Sequence, residues 1–374
     1  MAAVPPRIAL YGVGGVGGWL GSRLLEAGSE VAEVVLIARG AHGAAIRERG
    51  LRLDVDPVGG GAATSVQAAP GAAEVYSSVE EAIAQGARPV DFMILAVKTW
   101  QVAEAAAAAR PLLGDGGCVV TTQNGVEAPQ QAADVLGAGR VLGGVAKVLA
   151  YIAEPGVVSM KAQPAFFHFG EAFAADGSPL DEDAAAAAAR SARAERLAGA
   201  LAQCQGVTSG IPQNGTWPML WEKAVLMCSF GPVAALCRAP LDKVCGIPET
   251  RALLRAAMLE VASCAARAGH LEKDKGPEEV VDAVLATLTA QGAKQPGVTP
   301  STLRDVVMGK PSEINELSGG IARAGRKLGV ATPTHDLILA ALLPQELRAR
   351  GEQPYQLMGV PGGAPHVRAD APAE

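Results

Sequence analysis

The sequence predicts an α/β amino-terminal domain followed by an all-α carboxyl-terminal domain. Three observations carry that expectation. The strand-like run Ile8 to Tyr11 passes into a cluster of glycines and then into a helical spacing of Leu20, Leu24 and Leu25. Two further apolar runs, Pro89 to Val97 and Cys118 to Thr122, break off in polar residues, as buried parallel strands do at a ligand-binding edge. From Trp217 onward, strand signals give way to long apolar faces at helical spacing. With 374 residues, 49% hydrophobic and 19% charged, the chain has room for two domains and a large core.

In chain order, Gly12, Gly14 and Gly17 fit G-x-G-x-x-G between a strand and a helix. The three glycines have separate tasks: a tight turn, close approach of backbone to a pyrophosphate, and helix–strand packing. Chance spacings arise readily among 45 glycines, so the flanking strand and helix carry the weight. The expected element is a Rossmann-type dinucleotide-binding domain, its phosphates on the free N–H groups and positive end of the next helix. Gly12, Gly14, Gly15, Val16 and Gly17 are the cofactor-binding candidates of this turn. The second strand, Val31 to Ile37, ends at Ala38-Arg39-Gly40. An acidic residue near this point takes the ribose 2′-hydroxyl of NAD, whereas an arginine accommodates the 2′-phosphate of NADP. Arg39 has no acid beside it and points to NADPH; a solvated arginine at a strand end is the plainer alternative.

Leu51 to Val55 and Ala63 to Ala69 read as short strands or a ribbon, with Gly59-Gly60-Gly61 as the turn. The run to Val97 ends in Lys98-Thr99-Trp100-Gln101 before an alanine-rich helix, Val102 to Ala109, and Thr122 is followed by Gln123-Asn124-Gly125-Val126. Val141 to Ala150, Gly156 to Met160 and Phe166 to Gly170 then read as strands closing the first domain with an antiparallel edge. Ser178, followed by Pro179 and the acids Asp181 to Asp183, predicts the cap of an alanine-rich helix reaching about Gln203. The loop composition Pro212 to Thr216 places the boundary, giving domains 1–213 and 214–352 and a tail, 353–374, rich in Gly, Pro and Ala. The second domain's expected helices are Trp221 to Ala235, Glu249 to Ala268, Pro277 to Ala290, Ser312 to Leu328 and Thr334 to Leu343.

A formal charge of −6 argues against nucleic acid as a partner and leaves small anions open. No uninterrupted apolar run reaches the roughly 18 residues that span a bilayer, and a strand at Ile8 leaves no room for a signal peptide. A cytoplasmic protein without a membrane partner is expected. The six cysteines contain no C-x-x-C pair and the five histidines are scattered, so neither a disulfide frame nor a metal site is expected.

A nicotinamide cofactor that gives hydride to a carbonyl leaves the protein to supply a proton for the oxygen. Lys223, set among Trp217, Met219, Trp221 and Met227, is a candidate general acid, because desolvation lowers an ammonium's pKa toward neutrality. The structural alternatives are a snorkelling lysine or one paired with Glu222. Glu313, opening a helix after Lys310-Pro311-Ser312, either favours the helix dipole or orients such a lysine. Ser301 and Asp305 lie four apart, hence on one face of a helix, and are substrate-binding candidates; Ser301 as a plain N-cap is the alternative.

On the pieces Gly12-Val-Gly-Gly-Val-Gly17, Lys98-Thr-Trp-Gln-Val, Thr122-Gln-Asn-Gly-Val, Leu220-Trp-Glu-Lys223, Ser301-Thr-Leu-Arg-Asp305 and Ser312-Glu313-Ile-Asn, the chain resembles the ketopantoate reductases over most of residues 7 to 346. The resemblance implies NADPH-dependent reduction of 2-dehydropantoate, with substrate and nicotinamide between the domains. It implies Lys223 as general acid, Glu313 as its partner and a substrate ligand, and Ser301 on the substrate. It also implies Asn124 near the nicotinamide and the carbonyl, Lys98 at the same mouth, and Arg39 on the 2′-phosphate. Where well-studied members carry asparagines four and eight residues after the lysine, this chain has Met227 and Gly231. Losing two amides removes readers of polar substrate oxygens, so a different, less hydroxylated 2-oxo acid is the alternative substrate. A cofactor-binding sensor without turnover is a second alternative, and a homodimer is an assembly open to the chain.

Overall fold

The computed structural model describes residues 4–57, 62–161, 165–180, 190–271 and 274–355. The expected Gly59–Gly61 turn, the Ala184–Ala189 run and the tail beyond residue 355 lie outside the described residues. The chain divides into two compact units, Met1–Leu220 and Trp221–Glu374.

The first unit's strands are β1 (Arg7–Tyr11), β2 (Glu33–Ile37), β3 (Arg52–Asp56), β4 (Thr64–Gln67), β5 (Glu74–Tyr76), β6 (Val90–Leu95), β7 (Leu113–Thr121), β8 (Val141–Lys147), β9 (Ala150–Glu154), β10 (Val157–Lys161), β11 (Phe166–Glu171) and β12 (Thr208–Gly210). Its described helices are α1 (Gly15–Ala27), α2 (Gly40–Arg49), α3 (Val79–Ala84), α4 (Val102–Ala109), α5 (Ala128–Leu136) and α6 (Ala192–Leu201). The main sheet runs β12-β11-β8-β7-β6-β1-β2-β5. Pairing is parallel from β8 through to β5, and antiparallel between β8 and β11. Ile8, Ala9 and Leu10 of β1 and Phe92 to Leu95 of β6 are all buried, as central strands covered on both faces require.

Two expectations change. The strands after β8 do not all close the main sheet: β9 and β10 leave it and join β3 and β4 in a second sheet, ordered β4-β3-β10-β9. Buried Val158 of β10 explains the departure, since it packs against α1 at Gly18 and so covers a helix face rather than extending a sheet edge. No helix starts at Pro179: it pairs with Phe173 in an isolated antiparallel bridge, and the Leu180 N–H bonds to the Ala172 carbonyl at 3.0 Å. The Ser178 N–H (3.0 Å) and hydroxyl (2.7 Å) both bond to Asp176 Oδ1, closing a local turn. Residues 181–189 lie outside the described residues; beyond them a helix begins at Ala192, capped by the Ser191 hydroxyl, which accepts from the Ala194 N–H at 3.2 Å.

The second unit is helical, beginning within α7 (Thr216–Cys237) and continuing with α8 (Leu241–Gly246), α9 (Pro248–Arg267), α10 (Pro277–Lys294), α11 (Ser301–Val307), α12 (Ile314–Leu328) and α13 (Pro333–Arg350). Prolines open α9, α10 and α13, where the missing N–H costs nothing. Leu254, Ala257, Met258, Val261, Ala262 and Ala265 form the buried stripe of α9. His335 of α13, fully buried, lies 3.0 Å from the Ala257 carbonyl of α9, and burial lowers its pKa. α7 is the one helix, among the described residues, long and apolar enough by composition to cross a membrane; 67% of that stretch is buried in the protein.

Leu10 lies on β1, between β6 and β2, with no exposed surface. Leu10→Ala is expected to destabilise by about 2–5 kcal/mol, the range for a cavity that cannot collapse. A urea midpoint unchanged from wild type would contradict this packing.

Candidate active site

The first unit's candidates are gathered by strand register. Tyr11 of β1 is level with Ile37 of β2 and with Leu95 of β6, and Leu95 is level with Thr121 of β7. The carboxyl ends of four adjacent parallel strands therefore form one row. Gly12, Arg39, Lys98 and Asn124 each follow the end of one of these strands by one to three residues. The row straddles β1, where the chain's progression along the sheet reverses, and open α/β sheets bind ligands at such a crevice.

The turn after β1 is built by close backbone approach. Gly12 has φ +93°, a region that favours glycine, and its N–H bonds to the Ile37 carbonyl at 3.1 Å. A Cβ at Gly17 would collide with the Gly12 carbonyl oxygen, so α1 can start this close to β1 only with glycine there. Gly15 has a similar constraint from a different neighbour, the Ala150 carbonyl of β9. At Gly14, the N-cap of α1, a Cβ would meet nothing within 4 Å. The first turn of α1 carries no acid, and its N-cap, a glycine, supplies no side-chain cap. Open space in front of Gly14, at the positive end of a 13-residue helix, fits a dinucleotide pyrophosphate.

Arg39 is exposed at the N-cap of α2. Burial pushes the Tyr11 phenol up, and the Arg39 charge pulls against that rise. Lys98 precedes the short turn Thr99–Gln101, its Nζ 5.9 Å from the centre of the Trp100 ring. Asn124 is half-buried, and its carbonyl accepts from the Thr99 hydroxyl at 3.5 Å. Gln123, not singled out from sequence, fixes the two loops to each other. Its amide donates to the Leu95 carbonyl at 2.6 Å and the Val97 carbonyl at 2.9 Å, and its oxygen accepts the Thr122 N–H at 2.9 Å. A buried amide directly after an apolar strand was the available signal.

In the second unit, Lys223 is half-buried on α7, with Met227 and Gly231 one and two turns further along the same face. A Cβ on Gly231 would lie 3.0 Å from the Thr302 hydroxyl, so α11 fills the room beside this glycine. Ser301 is the first helical residue of α11 rather than its N-cap, which is Pro300. Ser301 and Asp305 share a face one turn apart, both half-buried.

Glu313 is buried at the N-cap of α12, yet its side chain makes no cap hydrogen bond. Behind it stand residues that sequence reasoning did not find. The Glu346 Oε2 accepts both the Ser312 N–H at 2.8 Å and the Ser312 hydroxyl at 2.5 Å. Arg350 donates to Glu346 Oε1 at 2.6 Å and to both oxygens of Glu316 at 3.2 and 3.1 Å. Burial pushes the Glu316 carboxyl above its usual range, opposed by Arg350 and aided by the nearby charge of Glu313. Burial alone would lower the Arg350 pKa; bonding to Glu346 and the Glu316 charge raise it overall. The Glu346–Arg350 pair lies four apart on one helix, but its meeting with Glu316 and Ser312 is made only in three dimensions.

A glycine turn of this kind on a parallel sheet, joined in one chain to an all-helical unit, defines a dinucleotide-binding protein of two units. Residues 8–172 match the ketopantoate reductase PanE/ApbA family and residues 216–346 match that family's C-terminal domain; the chain belongs to it. A 2-dehydropantoate 2-reductase of Mesorhizobium japonicum is 29% identical over 357 residues, 89% of this chain and 96% of that one. The crystal structure of 2-dehydropantoate 2-reductase from Geobacter metallireducens superposes with a TM-score of 0.72 at 27% identity, covering 90% of this chain and 99% of that one. A ternary structure of D-mandelate dehydrogenase with NADH and anilino(oxo)acetate shares the fold, with a TM-score of 0.72 at 20% identity over 92% of this chain and 99% of that one.

Gly14→Ala and Gly17→Ala separate the cradle from the packing. Gly14→Ala is expected to hold the melting temperature within about 2 °C while weakening NADPH binding about tenfold, because the methyl enters phosphate space. Gly17→Ala should lower both. Equal melting losses in the two variants, by calorimetry beside fluorescence titration, would refute the assignment.

Proposed function

We propose that the chain reduces a 2-oxo acid to the corresponding 2-hydroxy acid with NADPH, and that 2-dehydropantoate is the leading substrate. The observation that carries the reading is the level row of strand ends, which sets Gly12, Arg39, Lys98 and Asn124 along one edge. Membership of the family supports the reaction class. When bound, the nicotinamide supplies the hydride. Gly14, Gly15 and Val16 would hold the pyrophosphate by backbone N–H groups, and Arg39 the 2′-phosphate. Lys98 and Asn124 would orient the nicotinamide end. Lys223 Nζ delivers a proton to the 2-oxygen, Glu313 holds the ammonium and the substrate in place, and Ser301 and Asp305 bind the acid's polar end.

The carbonyl's developing negative charge is the demand that an ammonium meets best, so catalysis depends on Lys223 more than on any single binding group. Lys223→Ala is expected to lower kcat by about 10²- to 10⁴-fold with NADPH affinity nearly unchanged. Near-normal turnover in that variant would remove Lys223 from the mechanism.

The face of α7 beyond Lys223 favours a second reading of the substrate. Met227 and Gly231 offer no hydrogen bond from their side chains, which suits an acid with fewer hydroxyls. Comparing kcat/KM for 2-dehydropantoate and 2-oxoisovalerate decides between them, because only the first carries a terminal hydroxyl. Absence of NADPH oxidation with any 2-oxo acid would instead indicate a binding protein.

Arg39 governs the cofactor choice. Arg39→Ala is expected to raise KM for NADPH by roughly 10- to 100-fold, the worth of a charge-assisted bond to a phosphate, and to leave KM for NADH almost unmoved. Parallel losses with both cofactors would assign Arg39 to the surface.

A further inference from the structure

Helix α12 starts in an unusual way. Its N-cap residue, Glu313, has φ −104° and ψ 27° and does not use its carboxylate as a cap. Acidic N-cap side chains ordinarily turn back onto the helix's own N–H groups. Here the neighbouring Ser312 hydroxyl does that work, accepting a long bond from the Ile314 N–H at 3.4 Å while donating to Glu346 at 2.5 Å. Ser312 is fully buried, and Glu346 is only 3% exposed. The Glu313 carboxylate is thereby spared from capping.

The supporting cluster is costly. Two carboxylates on one guanidinium, with side-chain exposures of 5% for Glu316, 2% for Glu346 and 15% for Arg350, lose much of their hydration. Buried ion clusters seldom stabilise more than apolar packing of the same volume would, and their best-attested use is to fix one arrangement. What this one fixes is the Ser312 backbone and hydroxyl, through both Glu346 bonds, immediately before Glu313.

We propose that Ser312, Glu346 and Arg350 are positioning residues for Glu313: the cluster sets the entry of α12 so that the Glu313 carboxylate is presented to the reacting groups instead of to its own helix. The inference rests on the assignment of Glu313 to the active site made above. It predicts a kinetic dependence that passes through Glu313 and through no other group.

The test is a pair of double-mutant cycles on the full chain, with NADPH and whichever of 2-dehydropantoate and 2-oxoisovalerate the wild type turns over faster. Ser312→Ala leaves the ion cluster intact and removes only the hydroxyl, so it is the variant least exposed to misfolding; Glu346→Gln is the second. Each alone is expected to lower kcat about tenfold, as small misplacements of a reacting group do, with KM for NADPH changed less than about twofold. Combined with Glu313→Gln, neither should lower kcat further, because the group they position is already gone. A merely structural role gives losses that multiply in the double variants, and that result overturns the proposal. Wild-type kcat in both single variants, beside a crippled Glu313→Gln, overturns it while leaving the reading of Glu313 standing. If Glu313→Gln itself turns over normally, the assignment of Glu313 falls and the positioning role with it. Should Glu346→Gln not fold, the Ser312→Ala cycle decides alone.

Discussion

The first unit's function hangs on hydrogen-bond register between parallel strands. Parallel pairing fixes each strand's longitudinal position against its neighbours, and here it brings Tyr11, Ile37, Leu95 and Thr121 level. A one-residue slip of β6 would move Lys98 by about 3.3 Å and invert every buried side chain of the strand. The apolar sets Ile8 to Leu10 and Phe92 to Leu95 forbid that slip by their burial, so the same contacts that stabilise the core also aim the loops. Gln123 carries this over the edge, because its amide ties the loop after β7 to the carbonyls that end β6. Positions on the row are thus held by backbone geometry before any side chain of the site contributes.

Fold class, the glycine turn and most long helices were legible in the sequence for a common reason: each rests on residues close together in the chain. The periodicity of α9 and the prolines opening α9, α10 and α13 are local signals of that kind. What was not legible depends on neighbours distant in sequence. Ser178 carries every mark of a helix cap, yet Pro179 after it is drawn into a bridge with Phe173. The run Val141 to Gly170 alternates as one edge would, but Val158 is claimed by α1 and takes β10 into another sheet. Short elements such as β5 and β12, three residues each, have too few residues for any period to emerge.

The candidate site residues divide along the same line. Gly12, Gly14 and Gly17 announce themselves by spacing, because the roles proposed for them concern backbone within a single turn. Ser312 was read as part of a helix start and of one family-like piece, with no role of its own, while Glu346 and Arg350, more than thirty residues away in the chain, were not read at all. Their significance lies in a buried arrangement of charges, and burial is a property of the folded unit. Lys223 and Glu313 stand between these cases, since each has an ordinary structural explanation that composition alone could not displace.

The packing of Gly231 on Thr302 has a consequence for how this chain can change. A glycine in place of an amide suggests an empty notch that one substitution could refill, but the Thr302 hydroxyl already stands 3.0 Å from where a Cβ would be. Any side chain at 231 therefore requires Thr302 to give way by a few tenths of an ångström, so the notch is not free space and substitutions at 231 and 302 are expected to couple rather than add.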